Sequence, residues 1–209
     1  MAAKKELTTT SFAVLGWLAV KPWPMYELAK QTQRNLRYFW PRADSRLYEE
    51  PKKLVAHGLA TVERTFVGKR PRTIYAITPK GRAALKKWLG QPSAPPSLDF
   101  EALVRVFFAE TGTRDQMLDA LSAADRLADD IQATGEVVAT EFLEGGHPFP
   151  DRMHLSGIVF DFLWSWADLL RDWAERSRAE VSGWDGVRAD PSKAKRAARV
   201  FSRAVRPRR

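Results

Sequence analysis

Apolar residues recur at three- and four-residue steps along most of this chain, whereas two short runs within residues 59–78 are rich in β-branched and aromatic residues. The spacing is typical of amphipathic helices, and the short runs are typical of strands. The pattern predicts a mainly α protein with four helices and one β-hairpin before residue 90 and long helices after residue 98. Between them, GQPSAPPSLD (90–99) is rich in Pro and Ser and predicts a linker.

The N-terminal half shows the start and stop signals of short helices. The first predicted helix is Thr9–Val20, and the second begins near Pro24, which suits a first helical turn because it lacks an N–H. The third lies in SRLYEEPKKLVAHGLA (45–60) and ends at Gly58, and TPKGRAALKKWL begins the fourth. LATVERTF and RTIYAIT predict two strands joined at VGKRP, a hairpin with a basic tip. This order of elements is that of a winged helix-turn-helix.

The C-terminal half predicts helices only. LDFEALVRVFFAE predicts one helix, Arg114–Leu143 a second that Gly135 weakens locally, and Arg152–Val181 a third after the break GGHPFP. The last two predict an antiparallel helical hairpin. The last helix carries an apolar stripe made of Leu155, Val159, Phe162, Trp166, Leu169 and Trp173. The apolar stripes are wider than a two-helix hairpin can bury, so they predict a partner chain.

Charge divides the chain in nearly the same places. Residues 1–92 contain 18 Lys and Arg against 6 Asp and Glu (net +12), residues 93–190 contain 8 against 19 (net −11), and residues 191–209 contain 8 against none (net +8). Such segregation favours a polyanion-binding first half, although a solvated basic surface is the alternative interpretation. We predict a winged helix-turn-helix DNA-binding domain over 8–92, a helical dimerisation and candidate effector-binding domain over 98–182, and a basic, flexible tail over 183–209.

The third predicted helix offers a polar surface suited to the DNA major groove. At about 100° per residue, Leu47, Pro51, Leu54 and Val55 face inward. The outward and flanking positions are Ser45, Arg46, Tyr48, Glu49, Lys52, Lys53 and Ala56. Arg and Lys donate to guanine, Glu accepts from cytosine, and Tyr or Ser can meet a phosphate or a base edge. A solvated charged face on a structural helix is the alternative.

Two residues complicate this helix. Glu50 lies off the outward face, where it is placed to pair with Arg46 or Lys53. Pro51 sits inside the helix, where a proline costs about 3 kcal/mol and removes one hydrogen bond. We therefore expect a bend or a tightened first turn near Tyr48–Pro51.

Three motifs resemble those of the PadR family of bacterial transcriptional regulators. They are MYELA (25–29), LYEEPKKLVAHGLA (47–60) and GKRPRTIYAITPKGRAAL (68–85), and the resemblance extends over roughly residues 8–181, most strongly up to Leu89. The chain departs from the family in Met25, which stands where glycine is usual, and in Pro51, which comes two positions late. The basic tail is an addition.

The resemblance implies a homodimeric repressor that binds a pseudo-palindromic operator, with half-sites about one helical turn, or a multiple of it, apart. It implies DNA contact by Tyr48 from the recognition helix. The residues around Tyr48 would be Ser45, Arg46, Glu49, Lys52 and Lys53, and the wing would place Lys69, Arg70 and Arg72 on the DNA backbone or minor groove. For the tail, phosphate contacts and a disordered, solubilising end remain equal alternatives.

The resemblance also implies release from DNA by a small aromatic or hydrophobic effector. The candidate dimer or effector residues are Phe107, Phe108, Leu155, Val159, Phe162, Trp164, Trp166 and Trp173. A dimer core is the alternative role for these side chains, because aromatic residues bury large areas. The acidic charge of this half disfavours anionic ligands unless Arg105, Arg152 or Arg171 turns inward.

Other classes of function have little support in the sequence. The chain contains no Cys, which excludes thiolate metal sites and a Cys nucleophile. His57 is expected at the end of the third helix, and His147 and His154 are expected to be surface residues rather than metal ligands. We predict no catalytic site, no cofactor and no metal.

The apolar run Phe12–Val20 is too short to span a membrane, and we predict a cytoplasmic protein. Two alternatives to a specific regulator remain. One is a non-specific nucleic-acid binder that uses its basic wing and tail. The other is a winged helix module that binds another protein.

Overall fold

The structure is a computed structural model that describes residues 6–41, 44–67 and 70–205. The chain forms two compact units, Met1–Pro96 (unit 1) and Ser97–Arg209 (unit 2). Unit 1 contains helices α1 (Thr9–Val20), α2 (Met25–Leu36), α3 (Asp44–Ala56) and α4 (Pro79–Leu89), with strands β1 (Trp23–Pro24), β2 (Ala60–Val67) and β3 (Arg70–Ile77). The mainly α fold with a small sheet is the one the sequence predicts.

Helix α1 lies at the centre of unit 1. It begins with a capping box in which the Thr8 side chain accepts from the backbone of Ser11 while the Ser11 side chain accepts from the backbone of Thr8. Val14, Leu15 and Leu18 are almost fully buried, because α2, α3, α4 and β3 all contact this helix. These contacts fix α3, the predicted recognition helix, to the core.

The sheet is antiparallel with the strand order β1-β3-β2. Strands β2 and β3 pair from Ala60↔Ile77 to Val67↔Arg70, which confirms the predicted hairpin. Strand β1, which pairs Trp23 with Tyr75, is a third strand that the sequence analysis does not predict. Pro24 has extended backbone and precedes α2, so the expectation that it lies in the first turn of that helix is wrong by one residue.

Helix α3 ends in a glycine turn at the predicted residue. Gly58 has a φ of 71°, and its N–H donates to the Val55 carbonyl at 2.9 Å while the Leu59 N–H donates to the Leu54 carbonyl at 2.9 Å. This pair of bonds is a Schellman motif, in which glycine adopts the left-handed conformation at no steric cost. The turn leads directly from α3 into β2, and so couples the helix to the wing.

The regular secondary structure of unit 2 is entirely helical among the described residues. Its helices are α5 (Glu101–Phe107), α6 (Arg114–Leu143), α7 (Met153–Ser182) and α8 (Pro191–Val205). The bounds of α6 and α7 agree with the prediction within one residue, whereas α5 is shorter than predicted and is followed by a 3₁₀ turn at Ala109–Thr111. Helix α8 lies in the segment that the sequence predicts to be a flexible tail.

Helices α6 and α7 form the predicted antiparallel hairpin. Three cross-links show the direction: Arg178 pairs with Asp125, Arg171 with Asp129 at 2.6 Å, and Gln132 with Asp168 at 2.8 Å. As the residue number rises along α6 it falls along α7, which only antiparallel helices do.

Small residues are prominent among the buried side chains of this hairpin. Ala124 and Ala128 of α6 and Ala167 and Ala174 of α7 are fully buried. A Cβ on Gly135 would lie 3.1 Å from the Trp164 ring, so this glycine makes room for that ring beside α6.

The predicted stripe of α7 is not the face buried in this hairpin. Leu155, Val159, Phe162 and Leu169 are exposed, and α7 buries Ala167, Leu170, Ala174 and Val181 instead. The reason is that α7 is apolar on two sides, and the side with alanines allows the closer approach to α6. The large side chains remain uncovered, as expected of stripes wider than the hairpin can bury.

Candidate nucleic-acid interface

The surface of α3 follows the predicted helical wheel. Leu47, Pro51 and Leu54 are buried, and the exposed positions are Ser45, Arg46, Tyr48, Glu49, Lys52 and Ala56. The helix is α-helical from Asp44 to Ala56, so the tightened turn, one of the two expectations near Pro51, is not formed, and the bend stays a prediction. Pro51 is tolerated because its ring is fully buried against the core of unit 1.

The exposed cations of α3 differ in what they contact. Lys52 donates to Glu49 at 2.8 Å, and this hydrogen bond, with the charge of the same carboxylate, raises the pKa of Lys52. Arg46 forms no ion pair with a residue that the structure describes. The outward face therefore offers one uncompensated guanidinium, one paired ammonium, a phenol and a hydroxyl, which is a set of groups that can donate to phosphates and base edges.

Lys53 lies in a different environment from the other two cations. Its ammonium is 3.6 Å from Glu50, and the two side chains are only 13% and 12% exposed. The other Glu50 oxygen accepts from the Ser11 hydroxyl of α1 at 2.5 Å. Of the two pairings predicted for Glu50 the structure contains the one with Lys53, and it leaves less of Lys53 available to a phosphate than the helical wheel suggests.

The wing contributes one described cation of the predicted set. Arg72 of β3 is 39% exposed at its side chain and contacts Glu27 of α2 at 2.5 Å. Glu27 is a residue that the sequence analysis missed, since its partner lies 45 positions away. Lys69 and the side chain of Arg70 lie outside the described part of the chain.

The candidate dimer and effector residues of unit 2 lie in several ring pairs. Phe107 and Phe108 are exposed and pack edge to face with centroids 5.1 Å apart. Trp164 stacks on Phe160 at 5.4 Å, and Trp173 packs against Phe100 at 5.9 Å. Trp166 is half-buried on the same helix as the exposed Leu155, Val159 and Phe162.

Two of the arginines considered as partners for an anionic ligand contact carboxylates. Arg105 contacts Glu101 at 2.6 Å, and Arg171 contacts Asp129 at 2.6 Å. Two of the three arginines considered as partners for an anionic ligand are therefore already neutralised at the surface of the unit.

Histidine positions are partly as predicted. His57 follows the last residue of α3, and His154 is exposed. His147 is buried, not a surface residue: its ring stacks on Phe142 with centroids 3.6 Å apart, and its Nδ1 accepts from the Phe149 N–H at 3.1 Å.

The residues that the structure describes include no cluster of His, Asp and Glu able to hold a metal ion. Among the described helices, none combines the length and apolar character needed to cross a membrane.

Comparison with known proteins agrees with this geometry. The family described as "Winged helix DNA-binding domain" matches residues 12–91. The chain is 29% identical over 111 residues to the negative transcriptional regulator PadR of Bacillus subtilis, a match that spans 52% of this chain and 60% of that regulator.

Solved structures share the fold over a larger part of the chain. Bacillus subtilis PadR in complex with operator DNA is similar with a TM-score of 0.69 and 19% identity, over 83% of this chain and 99% of that one. The same protein in complex with p-coumaric acid is similar with a TM-score of 0.62 and 19% identity, over 86% of this chain and 100% of that one. The winged helix match, the motifs within it and the shared fold make this chain similar to PadR and PadR-like regulators.

Proposed function

We propose that this chain is a sequence-specific DNA-binding transcriptional regulator, and that it acts as a homodimeric repressor in the cytoplasm. The observation that carries the proposal is the outward face of α3, which a winged helix unit presents as an exposed row of polar and cationic side chains. In winged helix proteins this helix enters the major groove, where base edges are distinguishable. No catalytic role is part of the proposal.

The assignment of roles follows from exposure and pairing. Tyr48 and Arg46 contact bases or phosphates directly, because both side chains are exposed and neither forms a described ion pair. The Lys52 ammonium donates to the Glu49 carboxylate at 2.8 Å, so the two side chains contact base edges in the major groove together, one as donor and one as acceptor. Ser45 lies beside them, Lys53 contributes from the edge, and Lys69, Arg70 and Arg72 place the wing on the DNA backbone or minor groove.

A homodimer would bind two half-sites. The exposed stripe of α7, with Phe162 and Leu169 more than half exposed, supports a second copy as the partner of unit 2. Two-fold symmetry then requires a pseudo-palindromic operator, with half-sites separated by about one turn of the duplex or a multiple of it.

We propose further that a small aromatic or hydrophobic molecule releases the chain from DNA. The support is the p-coumaric acid complex of Bacillus subtilis PadR together with the ring pairs of unit 2. Phe107, Phe108, Trp164, Trp166 and Trp173 are the aromatic candidates for contact with the effector, since apolar rings bind flat apolar molecules between helices.

The test is fluorescence-anisotropy binding to a duplex from the protein's own promoter, with a scrambled duplex beside it. Tyr48→Ala should weaken promoter binding about ten-fold or more, because one good contact to a base contributes about 1–3 kcal/mol of discrimination. Lys52→Ala should weaken it as well, whereas Lys86→Ala, which alters an exposed lysine of α4, should have little effect. Adding p-coumaric acid to the unchanged chain tests release.

Equal affinity for the promoter and scrambled duplexes would contradict the proposal and favour the non-specific binder. Promoter preference that survives Tyr48→Ala and Lys52→Ala would show that α3 is not the reading helix. Operator binding that is unaffected by aromatic acids would remove the effector while leaving the regulator in place.

A further inference from the structure

Helix α8 divides its surface into two arcs of opposite chemistry. Lys195, Arg199 and Arg203 follow each other at four-residue steps, and we call them the basic arc. The opposite arc consists of Ala194, Ala197, Ala198, Val200, Phe201, Ala204 and Val205. The three cations are exposed, and none forms an ion pair with a residue that the structure describes. Helix α8 contains no acidic residue that could compensate them.

The first turn of α8 is tied to the end of α7. Asp190 caps the helix by accepting from the backbone N–H groups of Ser192 and Lys193, and the Lys193 ammonium lies 2.7 Å from the same carboxyl. Arg196 contacts Glu180 of α7 at 2.7 Å, and the Lys193 ammonium lies 5.1 Å from the centre of the Trp184 ring. Hydrogen bonds from Lys193 and Ser192 hold the pKa of Asp190 well below its ordinary value, so the cap is ionised at neutral pH.

This anchoring sorts the cations of α8 into two groups. Lys193 and Arg196 contact carboxylates of unit 2 and help to fix the helix there. The three cations of the basic arc remain accessible to an anionic partner outside the chain. Because the helix is already formed and fixed at its first turn, a ligand of the basic arc avoids most of the ordering cost that a flexible basic tail would incur.

We propose that the basic arc binds phosphates of duplex DNA, as a sequence-independent contact in addition to those of α3 and the wing. The spacing allows this partner: four residues of helix rise about 6 Å, whereas phosphates of one strand recur about every 3.4 Å along the duplex axis. Each of the three long cationic side chains can therefore contact a different phosphate. The inference rests on the proposed function, since that function brings DNA to this chain.

An anionic membrane is the other surface with regular phosphates, and the apolar arc decides against it. Four of its seven residues are alanine, and Phe201 is its single aromatic residue. Helices that lie in a membrane interface usually bury several large residues such as Trp, Phe and Leu. Binding to DNA phosphates requires only cationic side chains, and α8 carries these at short intervals along its length.

The experiment compares two triple variants of the full chain that differ in the arc they alter. Lys195→Gln, Arg199→Gln and Arg203→Gln together remove the basic arc, and glutamine preserves helix propensity. Val200→Ala, Phe201→Ala and Val205→Ala remove the large apolar side chains and keep every charge. Far-UV circular dichroism checks that both variants retain their helix content.

Binding to the promoter duplex is then measured by anisotropy over a series of salt concentrations. Loss of the basic arc should reduce the slope of log affinity against log salt by about 0.9 for each phosphate contact, and so by up to about 3 for each chain bound. The ratio of promoter to scrambled affinity should stay unchanged, because phosphate contacts carry no sequence information. The apolar-arc variant should behave like the unchanged chain.

The outcomes separate this inference from the proposed function. An unchanged salt slope in the basic-arc variant would overturn the inference, whatever the promoter preference. A lowered slope in a chain that never distinguishes promoter from scrambled DNA would sustain the inference and reject the specific regulator. Binding to vesicles containing anionic lipid that both triple variants lose, with DNA binding intact, would assign α8 to a membrane surface instead.

Discussion

The carboxylate of Glu50 connects the proposed reading helix to the core of unit 1. One oxygen accepts from the Ser11 hydroxyl of α1 at 2.5 Å, and the other lies 3.6 Å from the Lys53 ammonium. Ser11 is fully buried and its hydroxyl also accepts from the Thr8 N–H at 3.0 Å. A short chain of hydrogen bonds that ends at the cap of α1 therefore adds to the apolar contacts between α3 and α1.

Ser11→Ala tests this connection by its effect on stability. Removal of the hydroxyl leaves the Glu50 carboxylate, which is 12% exposed, without its strongest donor. An unsatisfied group of this kind costs about 1–3 kcal/mol, so the free energy of unfolding in a urea titration should fall by that amount. Glu49→Gln removes the exposed pair with Lys52 and should change stability by less than about 0.5 kcal/mol.

Equal stability of Ser11→Ala and Glu49→Gln would contradict a structural role for the Glu50 contact. The helical wheel alone could not have predicted this contact. It predicts the exposure of Ser45 and Lys52 correctly, since exposure on a helix needs only the helical period. The partial burial of Lys53 depends on Glu50 and on Ser11, which is 39 residues from Glu50 in the chain, and no local pattern carries that information.

At the scale of elements, caps explain which boundaries the sequence predicts well. Helices α1 and α6 both begin with capping boxes, at Thr8 and Thr113, and their predicted bounds agree with the structure. Strand β1 has only two residues, too few to show an alternating pattern. Asp190 as a cap, Pro191 at the first helical position and the amphipathic run that follows together indicate the start of helix α8. The basic composition of the same segment favours a flexible tail instead, and this is why the helix is absent from the prediction.

The wing and α4 meet at Gly81, where the backbone approach is closest. A Cβ built on Gly81 would lie 2.1 Å from the Leu59 carbonyl oxygen and 2.8 Å from the Ile77 side chain. The first of these neighbours is backbone at the start of the wing, so it cannot move aside without shifting β2. The glycine therefore allows the first turn of α4 to lie against the base of both wing strands.

Gly81→Ala should destabilise unit 1 by about 2 kcal/mol or more, because a methyl group forced into packed backbone costs on the order of 1–3 kcal/mol even where side chains can yield. The measurement is the midpoint of thermal unfolding followed by circular dichroism. Gly90→Ala is the matched control: the nearest atom to its Cβ would be 3.6 Å away, an ordinary contact. Similar midpoints for both variants would show that α4 does not need this close approach.

At the scale of the whole molecule, one side of α7 exposes large apolar side chains that the described part of the same chain does not cover. Leu155, Val159, Phe162 and Leu169 are exposed there, and the half-buried Trp166 and Trp173 continue the same stripe. The steps alternate between four and three residues, the spacing of a helix that packs against another helix along its length. Its other side is already filled by α6 through alanines. The sequence could predict that the apolar surface exceeds what one hairpin buries, but not which of the two sides of α7 the hairpin would use, because alanine carries so little hydrophobic signal.

Phe162→Glu tests whether this side of α7 holds two copies together. Phe162 is 64% exposed in the single chain, so the substitution should leave the fold of unit 2 intact while placing a charge in the centre of the proposed interface. Loss of a central aromatic contact typically costs 2 kcal/mol or more, which corresponds to at least a thirty-fold weaker dimer. Light scattering after size-exclusion chromatography, over a range of protein concentrations, measures the shift towards monomer.

Ala179→Glu adds the same charge to an exposed position of α7 that lies beyond the stripe and about 120° around the helix from it, and it should remain dimeric. The two variants also separate assembly from DNA recognition. A chain that binds as a monomer engages one half-site at a time and loses the effective concentration that the second half-site gains from linkage, so Phe162→Glu should lower operator affinity although α3 is unaltered. If both variants assemble equally well, the stripe of α7 is not the dimer interface, and the exposed Phe107 and Phe108 at the end of α5 become the next surface to change.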